Sequence, residues 1–223
     1  FSSNIFSPPF AMSHCALAYA ASTWKTLAND THAIRIPKLC PTSEELQTNA
    51  VKVHFDESKM GGFWYELAMK DITQPRVCSC QTSEKSVSLT DMEIIDDFTI
   101  QCYGDVYHSD LRFKLTGLQG VSVGTWNLPV LEKIQFPNTV IDYEENIDGE
   151  YDWVIEFQCI QAPAWVGERI SFYAFNFYSR KFKNVDELIP LMEARARARG
   201  LGPFIDDGRD LAIIDHSDCQ YGH

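Results

Sequence analysis

The residue types that perform acid–base and nucleophilic chemistry occur in this chain, but their spacing matches no catalytic motif. The six histidines lie in separate segments, and none belongs to an HExxH pair or a close Cys/His cluster. His108-Ser109-Asp110 contains the three residue types of a hydrolase triad, yet triad members converge in space rather than from one turn. No Gly-x-Ser-x-Gly turn and no phosphate-binding loop occur. The sequence therefore predicts no catalytic residue.

The seven cysteines favour disulfide chemistry over metal binding. They are Cys15, Cys40, Cys78, Cys80, Cys102, Cys159 and Cys219. Structural zinc sites usually contain two closely spaced pairs, whereas only Cys78 and Cys80 are close here, and Cys-x-Cys is not the usual chelating step. We therefore predict no metal site. Dispersed cysteines indicate disulfides and an oxidising compartment, and an odd number leaves at least one thiol free or paired with another chain.

Composition limits the classes of partner. The chain has 223 residues, a net charge of −12 and a hydrophobic share of 45 %, which is typical of one folded domain with extensions. Binding to a nucleic acid or to an anionic membrane surface requires clustered Lys and Arg, so the acidic balance argues against both. No apolar run approaches the roughly 18 residues that a transmembrane helix requires, and we predict no such segment.

Short alternating segments between residues 46 and 183 predict strands that would position any functional side chain. The clearest examples are residues 98–107, 112–116, 139–143 and 151–157. Strands at this spacing, without helices between them, indicate an antiparallel sandwich or barrel. Residues 1–45 form an N-terminal extension that is irregular, with room for one short helix. Residues 184–223 are expected to be a helix and tail that belong to the barrel domain.

Alternation also predicts which side chains of segment 151–157 face inward. Asp152 and Glu156 are expected to face water. The residues turned inward would then be Tyr151, Trp153, Ile155 and Phe157.

The segment after the strands has the pattern of an amphipathic helix. Asn184 followed by Glu187 is an N-terminal capping signal, and Gly200 is a good C-terminal stop. One helical face would carry Val185, Leu188, Ile189 and Met192. Pro190 is expected either to bend the helix or to mark its true start.

Three short motifs occur in an order that is typical of one protein family. Gly62-Phe63-Trp64 opens a strand, Ile141-Asp142-Tyr143 lies in a later one, and Tyr178-Ser179-Arg180 ends the last. Lys38-Leu39-Cys40-Pro41 precedes them. With this set the chain resembles the lipocalins, and within them the apolipoprotein D-like and crustacyanin-like group, over roughly residues 38 to 219. The second motif departs from the family in having Ile where Thr is usual.

The resemblance implies an eight-stranded antiparallel up-and-down β-barrel with a C-terminal α-helix packed on it. A barrel of this size holds at most one small ligand and needs a plug at one end. Trp64 would close the floor, with the Arg180 guanidinium lying across its ring. Gly62, Asp142 and Tyr143 are the other residues implied in barrel closure.

The resemblance also implies a pattern of disulfides. Cys40 would pair with Cys159, and either Cys78 or Cys80 with Cys219. The family has a single cysteine where this chain has two, so that choice stays open. Cys15 and Cys102 are extra to the pattern.

The function implied by the resemblance is non-enzymatic binding or transport of a small hydrophobic ligand. The ligand would be a carotenoid, sterol, fatty acid or tetrapyrrole, held as a bound lipid or pigment, and no cofactor is required. Candidate lining residues, from alternation or family position, are Tyr103, Tyr151, Trp153, Phe157, Phe172 and Asn176. In the alternative case these aromatic side chains simply fill the barrel.

Two other functions stay open. The first is a scaffold subunit of a larger complex, such as one in a photosynthetic membrane, bound through residues 1–45. The second is a carotenoid enzyme similar to the lipocalin-like violaxanthin de-epoxidases, which would need a cavity-facing Asp–Tyr pair. The chain lacks the dense cysteine region of those enzymes. The expected location is secreted, extracytosolic or in an organelle lumen, including that of the thylakoid.

Overall fold

The computed structural model describes residues 39–126, 135–162, 167 and 169–219. Cys15 and most of the N-terminal extension lie outside this range. Two short helices, α1 (Ser43–Leu46) and α2 (Asn49–His54), and a 3₁₀ turn (Glu57–Met60) lead into the first strand. The hydroxyl groups of Thr42 and Thr48 accept hydrogen bonds from the first turns of these helices, which fixes where each one starts.

Eight antiparallel strands follow and close into a barrel. They are β1 (Gly62–Lys70), β2 (Ser79–Ser88), β3 (Glu93–Cys102), β4 (Asp105–Leu115), β5 (Val121–Trp126), β6 (Gln135–Glu145), β7 (Tyr151–Gln161) and β8 (Ile170–Ser179). Each strand pairs with the next, and β1 pairs with both β2 and β8. This closed up-and-down order confirms the predicted barrel.

A C-terminal helix packs against the outside of the barrel. Helix α3 (Val185–Ala196) passes through a wide turn (Arg197–Leu201) into a short helix α4 (Gly202–Ile205), with Gly200 at a φ of 86°. The helix starts before Pro190, so the proline does not mark its beginning. Asn184 precedes the helix in a left-handed conformation, and its side chain makes no capping hydrogen bond. Ile189 and Met192 are buried on the predicted face.

The barrel wall separates two apolar clusters. The inner cluster includes Trp64, Phe113 and Tyr178. The outer cluster lies between the wall and the C-terminal helix, and it includes Trp153, Ile155, Phe157, Phe175, Phe177, Met192 and Phe204. Strands β7 and β8 are therefore covered on both faces.

This double coverage reverses the orientation predicted for β7. Val154 lies opposite Tyr178 and Glu156 opposite Asn176, so the even positions face the interior. Trp153 and Phe157 point outward into the cluster beneath the helix, and the prediction that they face inward was wrong. The rule that polar residues face water fails here because the helix excludes water from the outer face.

A segment near the end of the described chain fills a gap in the barrel wall between β1 and β2. Strand β1 pairs with β2 only along Gly62–Tyr65, and beyond that point it pairs with a short strand β9 (Ala212–Ile213). The amide of Ile214 donates to the Leu67 carbonyl (2.9 Å), and the amide of Cys80 on β2 donates to the Asp215 carbonyl (3.0 Å). We call residues 212–216, which lie between β1 and β2, the seam strand.

Three disulfides join the described cysteines. Cys40–Cys159 is the bridge that the resemblance implies. Cys80 pairs with Cys219, which resolves the open choice, and Cys78 pairs with Cys102. Three bridges are typical of a protein that folds in an oxidising compartment.

Candidate functional site: the barrel interior

The closed end of the barrel is built around Trp64 and Arg180. The Arg180 guanidinium carbon lies 3.7 Å from the centre of the indole ring. Its nitrogens donate to the carbonyls of Phe63 (2.9 Å), Lys59 (2.8 Å) and Gly61 (2.6 Å). The indole nitrogen of Trp64 donates to the Met60 carbonyl at 2.8 Å. The geometry matches the closure that the resemblance implies, and both terminal nitrogens of the guanidinium and the indole N–H are paired.

Aromatic rings complete this floor. Tyr151 is fully buried and stacks on Phe55 with ring centroids 5.0 Å apart, while its hydroxyl accepts from the amide of Asp56 at 2.6 Å. Tyr143 packs against both rings. Tyr151 thus belongs to the floor and lies below any ligand.

Asp142 has a role outside the floor. One of its carboxylate oxygens accepts from the hydroxyl of Thr48, and the other pairs with Arg195 of α3 at 3.2 Å. It therefore connects the barrel to the N-terminal and C-terminal helices rather than closing the cavity.

Above the floor, polar side chains surround the interior at mid-height. Register places them on the inner face: Ser83 lies opposite Trp64, and Lys85 opposite Asp96. We call this set the polar ring; its members are Glu66, Gln81, Ser83, Lys85, Asp96, Asn138, Glu156 and Asn176. Each of these residues is at most 5 % exposed. Eight buried polar side chains are not needed to fill an apolar barrel interior, so they require another explanation.

One side of the polar ring is charged. The ammonium of Lys85 lies 2.6 Å from a carboxylate oxygen of Asp96 and 3.8 Å from one of Glu156. Burial lowers the pKa of Lys85, but the facing carboxylates outweigh burial and the net shift is upward. Burial raises the pKa of Glu156, which Lys85 opposes. The Lys85 ammonium also lies 4.9 Å from the centre of the Tyr178 ring.

The other side of the polar ring is centred on an uncharged carboxyl group. Glu66 is fully buried, and burial raises its pKa to about 8, against the lowering effect of its hydrogen bond with Asn176. Its Oε1 accepts from the side-chain amides of Asn176 and of Gln74, the latter at 3.3 Å. At neutral pH Glu66 is therefore a carboxylic acid that can donate a hydrogen bond.

Five buried atoms of the polar ring have no hydrogen-bond partner among the described residues. They are Glu66 Oε2, Gln81 Oε1, Gln81 Nε2, Asn138 Oδ1 and Asn176 Oδ1. An unpaired buried polar group costs about 1–3 kcal/mol, and folded proteins contain few of them. Their concentration at one level of the barrel indicates a site that an external group completes.

Beyond the polar ring the interior contains a third apolar cluster. Phe98 and Ile100 of β3 pack with Tyr107 of β4 and with the Cys78–Cys102 disulfide. Between the polar ring and the floor lies a cavity of about 20 Å³, lined partly by Met60, Asn138 and Glu156. That space is about the size of one water molecule.

The structure separates the six predicted lining residues. Asn176 belongs to the polar ring, and Phe172 lies opposite Ile160 on the same inner face of β8. Tyr103 occupies the β3–β4 turn with a φ of 55° and is 86 % exposed, so its ring lies outside the interior. Trp153, Phe157 and Tyr151 lie in the outer cluster or in the floor, as described above.

One of the residues that the prediction missed, Glu66, had a signal in the sequence. Glu66 follows Trp64 at a spacing of two, so an inward Trp64 places Glu66 inward as well. Gln81 is harder to place, because β2 has a bulge between Ser79 and Thr82 in which Cys80 adopts a φ of 60°. That bulge turns Cys80 outward to its disulfide and Gln81 inward.

The described residues contain no group of three or more His, Cys, Asp or Glu side chains arranged to hold a metal ion. None of their helices has the length and apolar character needed to cross a membrane.

Comparison with solved structures identifies the fold. Apocrustacyanin C2 is 13 % identical with a TM-score of 0.59, and the match covers 84 % of this chain and 97 % of that one. Lobster apocrustacyanin A1 is 12 % identical with a TM-score of 0.60, covering 86 % and 96 %. The siderocalin Ex-FABP is 15 % identical with a TM-score of 0.50, covering 74 % and 100 %.

No protein-family model and no curated protein matches the sequence. The structural matches are to lipocalins, so the chain has the lipocalin fold that its three motifs predict. The narrower placement in the apolipoprotein D-like group stays a prediction.

Proposed function

We propose that this lipocalin-fold protein binds or carries a small, mostly apolar molecule inside its barrel. The observation that carries the proposal is the set of unpaired polar atoms in the polar ring, enclosed between an aromatic floor and an apolar upper wall. Such sites are concave and mainly apolar, with a few placed polar groups that fix orientation. The solved relative Ex-FABP is described as functioning through dual ligand specificities, which agrees with this use of the fold.

The ligand classes that the sequence suggests are carotenoids, sterols, fatty acids and tetrapyrroles. All four classes have an apolar body, and they differ in the polar group that would bind to the polar ring. The identity of that group is taken up in the next subsection.

Purification from the native source tests the proposal directly. An organic extract of the purified protein should contain one dominant small molecule by mass spectrometry, in an amount near one per chain. An absorption spectrum would reveal a pigment. An extract that contains no enriched molecule, from a protein that also binds none of the four classes when they are added back, would contradict the proposal.

A blocking variant gives the matched control. Ala174 is fully buried on the inner face of β8, opposite Gln158, and Ala174→Phe should exclude the ligand. Ile213→Phe places the same ring on the exposed outer side of the seam strand, opposite Ala68 of the outer cluster, where ligand content should not change. Equal ligand content in both variants would place the ligand elsewhere.

Enzymatic action on the bound molecule is the second candidate. It is favoured by the neutral Glu66 carboxyl, which shares the interior with Asp96 and Tyr178, because a buried acid with a raised pKa suits general acid catalysis. Mass spectrometry after incubation distinguishes the two functions: a carrier returns the ligand unchanged. A product of altered mass that disappears in Glu66→Gln would establish the enzyme.

We further propose that the protein acts outside the cytosol or in an organelle lumen, such as that of the thylakoid, on the basis of its three disulfides. The scaffold hypothesis depends on residues 1–45, of which 1–38 lie outside the described range. Incorporation into a larger complex after deletion of residues 1–38 would remove the motive for that hypothesis.

A further inference from the structure

We propose that the polar ring selects a ligand with an uncharged hydroxyl group, a lipid alcohol, and rejects the carboxylic acid of the same size. This inference rests on the proposed function and names the chemical class that the site takes. The hydroxyl would lie at mid-height in the barrel, with the apolar body directed toward Phe98 and Ile100.

The unpaired atoms of the polar ring define what the ligand must offer. Asn138 Oδ1, Asn176 Oδ1 and Gln81 Oε1 can only accept hydrogen bonds, whereas Gln81 Nε2 donates. Glu66 Oε1 already accepts from Asn176 and Gln74, which leaves the proton of the neutral acid on the unpaired Oε2. The site thus presents acceptors and donors together. A hydroxyl group satisfies both, whereas a carboxylate or phosphate can only accept.

The charges of the polar ring also oppose an anion. Lys85 is its only cation, and Asp96 and Glu156 already lie within 2.6 and 3.8 Å of the ammonium. A carboxylate ligand would add another negative charge to a buried site that contains no uncommitted cation among the described residues. Arg180 offers no alternative, since its guanidinium is bound to three carbonyls beneath the Trp64 ring. An unpaired buried charge is strongly unfavourable, so the anion is excluded.

Gln81 is the residue that most directly tests this selection. Its side chain is fully buried, and neither of its amide atoms has a partner among the described residues. The ring member Asn176, in contrast, also holds Glu66 in place, and replacing it would disturb the empty site. A Gln81→Met substitution therefore removes recognition of the hydroxyl while leaving the hydrogen bonds of the unliganded barrel unchanged.

Gln47 provides the matched control for that variant. It is a second buried glutamine, at the closed end, and its amide donates to the Gln119 carbonyl at 2.8 Å. Gln47→Met makes the same side-chain replacement at a position where no ligand is proposed to bind, so it controls for the general effect of replacing a buried glutamine.

Affinity for the alcohol should also depend on pH. Ionisation of Glu66 above about pH 8 removes a donor and adds a negative charge to the site. The titratable groups that interact with Glu66 from its own and neighbouring elements are Asp71, Lys85, Asp96 and Tyr178, and the His216 ring bonds to the Glu66 carbonyl oxygen at 2.9 Å. Binding of the alcohol should weaken across this ionisation in the wild type and stay level in Glu66→Gln.

The experiment compares three probes of equal chain length on the delipidated, full-length protein: a primary alcohol, its carboxylic acid and its alkane. Isothermal titration calorimetry measures the binding of each probe. We expect the alcohol to bind about ten-fold or more tightly than either other probe, since one buried hydrogen-bonding group discriminates by at least that factor. Gln81→Met should reduce the advantage of the alcohol about ten-fold, whereas Gln47→Met should retain it.

The outcomes separate this inference from the proposed function. If the acid binds as well as the alcohol, or if Gln81→Met keeps the full preference, selection by the polar ring is wrong and ligand binding still stands. If none of the three probes nor any of the four ligand classes binds, the proposed function fails and this inference fails with it. The comparison of probes on the wild type decides the question even if a variant does not fold.

Discussion

The floor and the polar ring are adjacent levels of one barrel, yet they treat buried polar groups in opposite ways. In the floor, Arg180, Trp64 and Tyr151 each bond to backbone at the closed end. In the polar ring, five buried atoms have no partner among the described residues, and Glu66 is buried at a raised pKa. The floor therefore contributes stability, while the polar ring sacrifices stability for a site that is complete only with a ligand.

The contrast explains which kind of substitution each level tolerates. Removing a paired group from the floor leaves its partners buried and unsatisfied, which is destabilising. Removing an unpaired group from the polar ring takes away an existing penalty. Stability and binding should thus respond in opposite directions at the two levels.

The largest expected effect is at the floor. Trp64→Ala removes the plug and the surface on which the Arg180 guanidinium lies, and should lower the free energy of unfolding by about 4 kcal/mol. Urea denaturation followed by circular dichroism measures this change. Tyr103→Ala, at an exposed turn, is the control and should change stability by less than about 0.5 kcal/mol. A similar loss of unfolding free energy in the two variants would show that the floor contributes no more to stability than an exposed turn does.

Lys85→Met tests the charged side of the polar ring. Without the ammonium, Asp96 and Glu156 remain buried with no counter-ion, so the free energy of unfolding should fall by about 3 kcal/mol. Adding Asp96→Leu to this variant should recover much of the loss, because the stranded carboxylate is then removed. The same urea titration measures both. No recovery in the double variant would show that the loss has another cause.

The pH dependence of stability tests Glu66. Its folded-state pKa of about 8 lies above its ordinary value of 4.5, so the folded protein binds the extra proton between those values. Stability should fall as pH rises, by about 2 kcal/mol between about pH 6 and pH 8. Glu66→Gln should flatten this part of the profile. A wild-type profile that is already flat would indicate that Glu66 titrates normally.

The smallest expected effect compares the two buried glutamines. Gln47→Met breaks a hydrogen bond at the closed end and should cost about 1 kcal/mol. Gln81→Met breaks none and should leave stability unchanged or raise it by up to about 1 kcal/mol. Chemical denaturation of the two variants side by side gives the difference. A loss in Gln81→Met equal to that in Gln47→Met would mean that the polar ring is satisfied in the free protein.

The floor could be predicted from the sequence because its residues occur as motifs. Trp64 and Arg180 each follow a recognisable step, and the helix face of Ile189 and Met192 has a clear period. The Cys40–Cys159 bridge follows from position along the chain once the fold is recognised. Each of these features depends on local spacing or on order.

The polar ring could not be predicted by the same means. Its residues come from six strands and share no local pattern, and orientation within β7 depends on a helix that begins about 30 residues later. Glu156 looked like a water-facing residue because alternation identifies two faces without saying which one is inside. Gln81 was hidden by the bulge at Cys80, which shifts the alternation of β2.

The seam strand has a consequence for how the protein is made. Strand β1 is synthesised before all the other strands, but its second half finds one of its partners only in residues 212–213, and the Cys80–Cys219 bridge spans 139 positions. A nascent chain therefore presents an unpaired strand edge until residues 212–213 have left the ribosome, and such edges favour aggregation. Shielding of that edge during biogenesis, and any tag fused near Cys219, would then influence yield more than most changes elsewhere in the barrel.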